Sequence, residues 1–352
     1  MRHTRVRSVL GYLAAVWSVA TVAAGQSPAD AVVHAGHIYV DAPFASAHAS
    51  TIVETERGLV AAWFGGTAEG HPDVGIWLSR HDGAGWSAPV EVANGVGSNG
   101  ARHPCWNPVL VQPPSGPLLL FYKVGPSPRQ WWGLIRTSSD AGHTWSGAVR
   151  LPDGTFGPIR AKPIQLESGV LLAGSSTEHD GWVSHMERFE PSRPGDWSLA
   201  TLTSPAAWQR SDPLNDTSEF GAIQPTILVH SPTRIQVLCR SREHVITEAW
   251  SEDGGRTWSP MTATTLPNPS AGIDALRLAD GRYWLAYNPT TRGRGRLALA
   301  QSTDGRIWRP LLTLEDAEGE YSYPAMIQTR DGRVHVTYTW KRARIAYVVI
   351  QP

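Results

Sequence analysis

One short sequence theme recurs six times along the chain and constrains its fold more than any other feature. Each copy is a turn residue followed by an apolar run that ends in a polar or aromatic residue. The copies begin 47 to 65 residues apart, at Gly58, Gly116, Gly169, Arg234, Gly281 and Gly332. Each run is β-branched or aromatic-rich and too short for a helix. A period of about 40–50 residues with several strands per unit is typical of a β-propeller. The sequence therefore predicts an all-β, six-bladed β-propeller.

A second theme supports this prediction. The segments Ser138–Trp145 and Ser251–Trp258 share the pattern S-x-D-x-G-x-T-W, Ser302–Trp308 is one residue shorter, and Ser79–Trp86 is a degenerate copy. The Asp carboxylate can accept backbone N–H bonds within a turn, Gly supplies a positive φ, and Trp packs between sheets. These segments are predicted to be hairpin turns.

These segments are Asp boxes, also called BNR repeats, and the chain resembles the sialidase superfamily, whose fold is a six-bladed β-propeller. The resemblance covers nearly all of the mature chain and is closest to a bacterial branch described as predicted neuraminidases. The motifs that carry it are HAST at His48, WFGGTAEGHPD at Trp63, CWNPVL at Cys105, IQPTIL at Ile223, SYPAMIQ at Ser322 and VTYTW at Val336. In that family the Asp boxes are structural and lie away from the active site, so the resemblance implies no catalytic role for their Asp residues.

The N-terminus has the features of a secretory signal peptide. A basic start precedes an apolar run from Val9 to Ala24, which is shorter than the ~20 residues of a membrane span. We expect cleavage near Ala24 or Gly25, so residues 1–25 are a signal peptide and residues 26–352 form one domain. The predicted location is secreted or periplasmic, without stable membrane insertion after cleavage.

Charge and cysteine content exclude some partners and leave one question open. Lys and Arg total 31 and Asp and Glu total 31 in 352 residues, which gives no electrostatic case for binding nucleic acid. Export permits a disulfide between Cys105 and Cys239, and two buried free thiols are an equal alternative. The histidines lack metal-ligand spacing, so we predict no metal and no other cofactor.

A polar residue stands at the start of the strand that precedes each repeat. Residues at equivalent places in successive blades would form a ring around the propeller axis and line a pocket for a small ligand. The six first-strand residues are His48, Asn107, Lys162, Gln224, Asp274 and Tyr323. The following strands return to the same end and add Lys123, Glu178, Arg240, Asn288 and Trp340, with Glu69, Asp73 and Arg294 in adjoining loops.

The resemblance implies chemical roles for some of these residues. Sialidases hold the sugar carboxylate with three arginines, attack with a Tyr polarised by a Glu, and use an Asp as acid and base. Tyr323 matches the nucleophile, Arg240 matches the second arginine, and Arg294 matches the third. Arg292 and Arg296 are alternatives to Arg294, and either Glu69 or Asp73 is expected to be the acid and base.

Two positions depart from the pattern of the family. The place of the first arginine is occupied by His48-Ala49-Ser50, and Gln224 stands where the partner Glu of the nucleophile is expected. Because an amide cannot accept the Tyr proton, we hypothesise that Asp274 replaces that Glu as the base.

Three functions follow as hypotheses from this pattern. The first is an exported, exo-acting, sialidase-like glycoside hydrolase that releases a terminal acidic sugar from a glycan. The second is a polysaccharide lyase on uronate-containing glycans, with His48 and Tyr323 as the base–acid pair and Arg240 neutralising the carboxylate. The third is a carbohydrate-binding propeller without turnover, because fold alone does not fix function.

Overall fold

The computed structural model describes Met1 and residues 31–352, which form six four-stranded antiparallel sheets. Except at the third blade, the first strands of neighbouring blades contact one another around a common axis. The prediction of an all-β, six-bladed β-propeller is confirmed. Apart from Met1, the predicted signal peptide lies outside the described residues, and so the prediction stays untested.

The strands follow one another in chain order through the first three blades. Strand β1 (Val32–His37) comes first and belongs to blade 6. Blade 1 contains β2 (Ser46–Thr55), β3 (Gly58–Gly66), β4 (Gly75–His81) and β5 (Val90–Ala93). Blade 2 contains β6 (Cys105–Val111), β7 (Leu118–Val124), β8 (Trp132–Ser138) and β9 (Val149–Arg150). Blade 3 contains β10 (Ile164–Gln165), β11 (Leu171–Thr177), β12 (Val183–Phe189) and β13 (Trp208–Arg210).

In blade 3 the chain between β12 and β13 forms one α-helical turn, α1 (Leu199–Leu202), and a 3-10 turn at Pro205–Ala207. The last three blades repeat the strand order of the first three. Blade 4 contains β14 (Ala222–Val229), β15 (Ile235–Ser241), β16 (Val245–Ser251) and β17 (Thr262–Pro267). Blade 5 contains β18 (Asp274–Arg277), β19 (Tyr283–Tyr287), β20 (Arg296–Ser302) and β21 (Arg309–Asp316). Blade 6 contains β22 (Tyr321–Gln328), β23 (Val334–Trp340) and β24 (Arg344–Ile350), with β1 at its outer edge.

The N-terminal strand closes the ring. Strand β1 pairs antiparallel with β24, with Val32 opposite Ile350 and His37 opposite Ala346. Both ends of the described domain therefore lie in one sheet, and opening the ring would require breaking this ladder.

The core lies between neighbouring blades. In β3, Val60, Ala62 and Phe64 pack with residues of blade 2, whereas the alternate residues Leu59, Ala61 and Trp63 pack with residues of blade 6. Because successive side chains of a strand point to opposite faces, a strand buried on both faces has a continuous apolar sequence. This is why the second strand of each blade was visible in the sequence as an uninterrupted run.

The Asp boxes have the structural role predicted for them. Asp140 accepts hydrogen bonds from the Thr144 backbone N–H at 2.8 Å and from its hydroxyl at 2.7 Å, and Asp253 does the same with Thr257. Hydrogen bonds with Thr144, the backbone one first, lower the pKa of Asp140. The boxes connect the third and fourth strands of blades 2, 4 and 5, at the ends of the strands opposite to the start of β2, β6, β14 and β22.

Three further facts concern the described part of the chain. Cys105 and Cys239 are both buried free thiols, which decides the question that the sequence left open. Within residues 31–352, no helix is long and apolar enough to cross a bilayer. In the same range no group of three or more His, Cys, Asp and Glu side chains is arranged to hold a metal ion.

Candidate functional site

A shared β-bulge marks one end of the propeller axis. In blades 1, 2, 4 and 6 the first strand contains one extra residue relative to the second strand, close to its start. The bulge residues with positive φ are Ala49 (56°), Asn107 (38°), Gln224 (61°) and Tyr323 (54°). Positive φ is uncommon outside glycine, and a bulge redirects the side chain that it carries. The four positions are therefore equivalent in the fold.

The bulge corrects one prediction and supports two others. His48 was expected in the ring, but the residue equivalent to Tyr323 in blade 1 is Ala49. His48 lies one residue earlier, opposite Phe64 of β3, and reaches Tyr323 with its ring instead. Asn107 and Gln224 occupy the places predicted for them and are buried.

Three guanidinium groups surround the Tyr323 ring. Their central carbons lie 5.2 Å (Arg160), 5.5 Å (Arg240) and 5.7 Å (Arg294) from the ring centroid. Arg240 Nη1 also donates a hydrogen bond to Tyr323 Oη. Arg240 and Arg294 therefore approach Tyr323 as the resemblance implied, and Arg160 joins them from the segment before β10.

Arg160 and Arg240 are buried and form no salt bridge with a described carboxylate, and we call them the floor pair. They are 3% and 7% exposed, and neither forms a salt bridge with a carboxylate of the described chain. Arg160 Nη2 donates to the Pro324 carbonyl, whereas Arg160 Nε and Nη1 and Arg240 Nε have no hydrogen-bond partner there. Burial lowers the pKa of Arg160 to about 10, so it stays charged at neutral pH. Unpaired buried charge is costly, so the floor pair is suited to bind an anion.

Arg294 and Arg342 are neutralised by carboxylates, and we call them the rim pair. Glu320 accepts from Arg294 Nη1 at 2.8 Å and from Arg342 Nε at 2.9 Å, and Glu69 accepts from Arg342 Nη1. The two arginine side chains are 24% and 31% exposed. Burial alone would lower the pKa of Arg342, but its hydrogen bonds with Glu320 and Glu69 raise it. These ion pairs link loops of blades 1, 5 and 6.

His48 is a buried neutral base beside Tyr323. Its ring centroid lies 4.1 Å from that of Tyr323, and its Nδ1 is 2.9 Å from Thr339 Oγ1. Burial lowers the pKa of His48 well below its ordinary value, and nearby arginines of both pairs lower it further. The imidazole is therefore uncharged at neutral pH, and no carboxylate of the described residues hydrogen-bonds with it or with Tyr323 Oη.

Glu178 is connected to Arg240 through Trp182. Trp182 Nε1 donates to Glu178 Oε2 at 3.0 Å, and the guanidinium carbons of Arg240 and Arg242 each lie 4.7 Å from the Trp182 ring centroid. Burial raises the pKa of Glu178, although Arg240 partly opposes this effect. Glu178 forms no salt bridge with a described residue, so its carboxyl is suited to donate a proton.

The Asp274 carboxylate is held by several hydrogen bonds near the propeller axis. Its carboxylate accepts from Lys162 Nζ at 2.8 and 2.9 Å, from Thr226 Oγ1 at 3.0 Å and from the Met326 backbone N–H at 2.7 Å. These partners belong to blades 3, 4 and 6, so Asp274 ties four blades together near the axis. The hypothesis that Asp274 is the base for Tyr323 is not supported by this geometry, and Lys162 is likewise held away from the pocket as its partner.

Three other predicted ring members have structural contacts. Lys123 donates to the Pro158 carbonyl, and burial lowers its pKa to about 7. Asn288 Nδ2 donates to two backbone carbonyls, at 2.6 and 2.7 Å. Trp340 packs edge-on against His37, 5.0 Å between centroids, on the outer part of blade 6. The strands that carry these residues end at the predicted end of the propeller axis. Because successive side chains of a strand point to opposite faces, some of them point away from the axis.

The two predicted acids in the loop after β3 differ. Asp73 accepts from the Thr67 backbone N–H at 3.0 Å and from its hydroxyl at 2.6 Å, and lies 2.7 Å from His71 Nδ1. Burial would raise the pKa of Asp73, but these hydrogen bonds outweigh it and lower the pKa to about 2. Asp73 therefore fits a role in fixing the loop, while Glu69 in the same loop is held by Arg342 at the rim.

The sequence analysis missed Arg160, Glu320 and Arg342. Arg160 lies two residues before the Lys162-Pro163 start of the third repeat, Glu320 precedes β22, and Arg342 follows β23 by two residues. All three flank strand ends that the repeats had located. A search of two residues on each side of those ends would have found them.

The described chain also has a large concavity away from Tyr323. This open groove of about 1480 Å³ lies between blades 1 and 6 and is lined by Glu54, Asp82, Trp86, Asp331 and His335, among others. Glu54 and Asp331 flank the turns that follow the first strands, so the groove lies at the end of the axis opposite to Tyr323. It shares no residue with the floor pair or the rim pair.

Fold and site together define a class: a six-bladed β-propeller with a cluster of arginines around a buried tyrosine at one end of its axis. The chain matches the BNR repeat-like domain family over residues 57–336, which is most of its length, and it belongs to that family. No curated protein matches the chain significantly in sequence.

Solved structures support a sialidase-like fold. A protein of unknown function from Dyadobacter fermentans DSM 18053 superposes with a TM-score of 0.71 at 17% identity, over 91% of this chain and 98% of that one. The Hadza microbial sialidase Hz136 gives 0.69 at 17% identity, over 87% of this chain and 66% of that one. Trypanosoma rangeli sialidase in complex with the inhibitor DANA gives 0.65 at 13% identity, over 88% and 56%. The chain thus spans little more than half of the Trypanosoma protein.

Proposed function

We propose that this protein is an exported, exo-acting glycoside hydrolase that releases a terminal, carboxylate-bearing sugar from a glycan. The observation that carries the proposal is the floor pair, two buried guanidinium groups with unpartnered nitrogens beside the Tyr323 hydroxyl. Membership of the BNR repeat-like domain family and the sialidase-like fold support a carbohydrate as the ligand.

A carboxylate is the ligand group that suits the floor pair. Its two oxygens match the fork of guanidinium N–H groups, and such charge-assisted hydrogen bonds are about twice as strong as neutral ones. A neutral sugar would leave Arg160 Nε and Arg240 Nε buried without an acceptor, which costs about 1–3 kcal/mol per group. The expected substrates are therefore sialic-acid relatives or other acidic sugars.

The proposed reaction uses Tyr323 and Glu178. An anomeric carbon that carries a carboxylate repels an anionic nucleophile, whereas a phenol is neutral until it attacks. As Tyr323 Oη bonds to the anomeric carbon, its proton passes to a neighbouring base, the bond to the leaving oxygen breaks, and Glu178 gives that oxygen its proton. Water then releases the sugar: its hydroxyl goes to the sugar, its other proton goes to Glu178, and the phenolic oxygen takes its proton back from the base. We prefer Glu178 to Glu69 as the acid because Glu69 is ion-paired with Arg342.

A product screen tests this proposal. The mature protein is incubated with a panel of acidic glycans beside Tyr323→Phe and a control, Tyr338→Phe. Tyr338 lies in the same blade as Tyr323, and its hydroxyl donates to Glu315 of blade 5. We expect release of a free acidic monosaccharide by the wild type and by the control, and none by Tyr323→Phe. Equal release by all three would overturn the role of Tyr323. Ligand binding without any product would indicate a carbohydrate-binding protein.

One observation favours a second function, a polysaccharide lyase. His48 packs against Tyr323, and no carboxylate of the described chain hydrogen-bonds with either. A uronate neutralised by Arg240 would lose its C5 proton to one of the two, and the other would protonate the leaving oxygen. An unsaturated product that absorbs in the near ultraviolet would select the lyase, and incorporation of water oxygen at the anomeric carbon would exclude it.

A further inference from the structure

His48 has the position of a base but is surrounded by positive charge. The ring is 2% exposed and contacts the rings of Tyr323 and Phe64, with centroid distances of 4.1 and 5.5 Å. Thr339 Oγ1 lies 2.9 Å from its Nδ1 and also accepts from the Ala49 backbone N–H at 3.2 Å. In the tautomer that donates from Nδ1 to Thr339, Nε2 carries the free lone pair. His48 is thus a neutral base whose ring packs against the ring of Tyr323.

The charged groups with the largest effect on His48 are all cations. The four are Arg342 from the turn after β23, Arg294 from the loop before β20, Arg160 from the segment before β10, and Arg240 from β15. The rim arginines have the larger effect, but Glu320 and Glu69 already hold them, whereas the floor pair has no salt-bridge partner and is the charge that a bound anion can offset. Burial and these arginines lower the pKa of His48 well below its ordinary value, so the imidazole is uncharged in the free protein at neutral pH.

We propose that the carboxylate of the substrate itself activates this base: once bound by the floor pair, it offsets their positive charge and allows His48 to accept the proton of Tyr323. The catalytic part of this inference rests on the proposed function. An opposite charge within about 4–6 Å shifts a titrating group by about one to three pH units. A neutral sugar in the same pocket would leave His48 inactive, so the pocket selects acidic substrates through catalysis as well as through binding.

The proton balance of the step is complete. As Tyr323 Oη bonds to the anomeric carbon, its proton passes to His48 Nε2, and the resulting imidazolium faces the bound carboxylate. When water cleaves the bond between the sugar and Tyr323, the electron pair returns to the phenolic oxygen and the imidazolium gives its proton back. No oxidant, reductant or metal takes part, and the donor for the leaving oxygen, Glu178, is a separate group.

An NMR titration of the histidine side chains tests the coupling without any glycan. The mature protein is titrated between about pH 4 and pH 8, alone, with saturating sodium pyruvate, and with pyruvamide as the uncharged matched control. His48→Gln assigns the resonance. We expect His48 to remain neutral over most of this range in the free protein, and pyruvate to raise its midpoint by about one pH unit or more. Pyruvamide is expected to have no effect.

Two variants sharpen the test. Arg240→Met should raise the His48 midpoint in the absence of pyruvate and weaken the response to it. Arg242→Met, which removes a cation that also contacts Trp182 but is not among those acting on His48, should do neither. Thermal denaturation of each variant verifies that it is folded.

Three results would overturn the inference. They are a free-protein midpoint near the ordinary value for histidine, binding of pyruvate without a change at His48, and no binding of pyruvate, since the floor pair must then fail to hold a carboxylate. A failure of the proposed function would look different. If pyruvate shifts the His48 midpoint but no glycan is cleaved, the coupling between the carboxylate and His48 is retained and the hydrolase is excluded. If cleavage is found, His48→Gln should lower kcat at least about tenfold with little change in KM.

Discussion

The floor pair and the rim pair are the same kind of residue around the same tyrosine, yet their surroundings differ. Arg160 and Arg240 are almost completely buried and lack a carboxylate partner, whereas Arg294 and Arg342 are partly exposed and share Glu320. A paired arginine has its charge and its hydrogen bonds satisfied within the fold. Burying an arginine without a partner costs free energy, and a bound anion reduces this cost. The comparison leads us to propose that the floor pair recognises the ligand and that the rim pair anchors loops.

The two nearby glutamates repeat this difference. Glu69 is held by Arg342, whereas Glu178 receives a neutral hydrogen bond from Trp182 and its pKa is raised by burial. A general acid must keep its proton near neutral pH, and an ion-paired carboxylate does not. Position in the sequence favoured Glu69 as the general acid, whereas the surroundings of the two carboxyl groups favour Glu178.

The largest effect is expected for Glu178→Gln. Loss of a general acid lowers the rate by about 10²–10⁴-fold. In the wild type, kcat/KM should be level at low pH and fall about tenfold per pH unit above the raised pKa of Glu178, because the acid must be protonated. Steady-state rates across pH should show this descending limb and its loss in the variant.

The matched control for that experiment is Glu69→Gln, which should retain both the rate and the limb. If instead Glu69→Gln removes the limb and Glu178→Gln keeps it, the roles of the two carboxylates are reversed. The contrast between a paired and an unpaired acid would then not explain the chemistry.

Lys162→Met tests a paired charge at the axis. It leaves Asp274, which is 1% exposed, without its counter-ion and should lower the free energy of unfolding by about 3–5 kcal/mol. Denaturant unfolding measures this loss. Lys162→Arg is the control that keeps the charge. An unchanged midpoint for Lys162→Met would mean that the ion pair between Lys162 and Asp274 does not hold the blades together.

The architecture was predictable because it depends on repeats that the sequence states directly. Strands buried on both faces give continuous apolar runs, and each Asp box requires its own Ser, Asp, Gly and Trp, so local sequence reports local structure. Three of the residues that the repeats singled out, Asn107, Gln224 and Tyr323, carry the bulges, and His48 is one residue away from Ala49. Their roles in a site stay predictions. A proline follows Asn107, Gln224 and Tyr323 and made these positions recognisable as equivalent, whereas blade 1 has no proline at that place.

The pairing of charges was not predictable, because it depends on contacts between distant loops. Asp274 is separated from Lys162 by 112 residues, and Arg342 from Glu69 by 273. Sequence position cannot state which cation a carboxylate will meet. Sequence position therefore suggested Asp274 as a free base, although Lys162 pairs with it, and it did not indicate Arg160, which forms no salt bridge.

Arg240→Met should reduce affinity without reducing stability. Removing one charged donor from the carboxylate site should weaken binding of pyruvate about 100-fold, roughly 3 kcal/mol. The free energy of unfolding should be unchanged or higher, because a buried charge without a partner is removed. Calorimetry and denaturant unfolding measure the two quantities, with Arg242→Met as the control. A loss of stability comparable to that of Lys162→Met would show that Arg240 has a counter-charge after all.

The smallest effects concern the rim pair, and they test the reason for the distinction. Arg342→Met should change stability by no more than about 1 kcal/mol, because a partly exposed ion pair contributes little. Its effect on pyruvate affinity should stay within about threefold by the same reasoning. Glu69→Gln removes one of the carboxylates that neutralise Arg342 and should therefore tighten pyruvate binding slightly. If it does, pairing rather than position distinguishes the two arginine pairs, and if Arg342→Met weakens binding as much as Arg240→Met, position is the deciding factor.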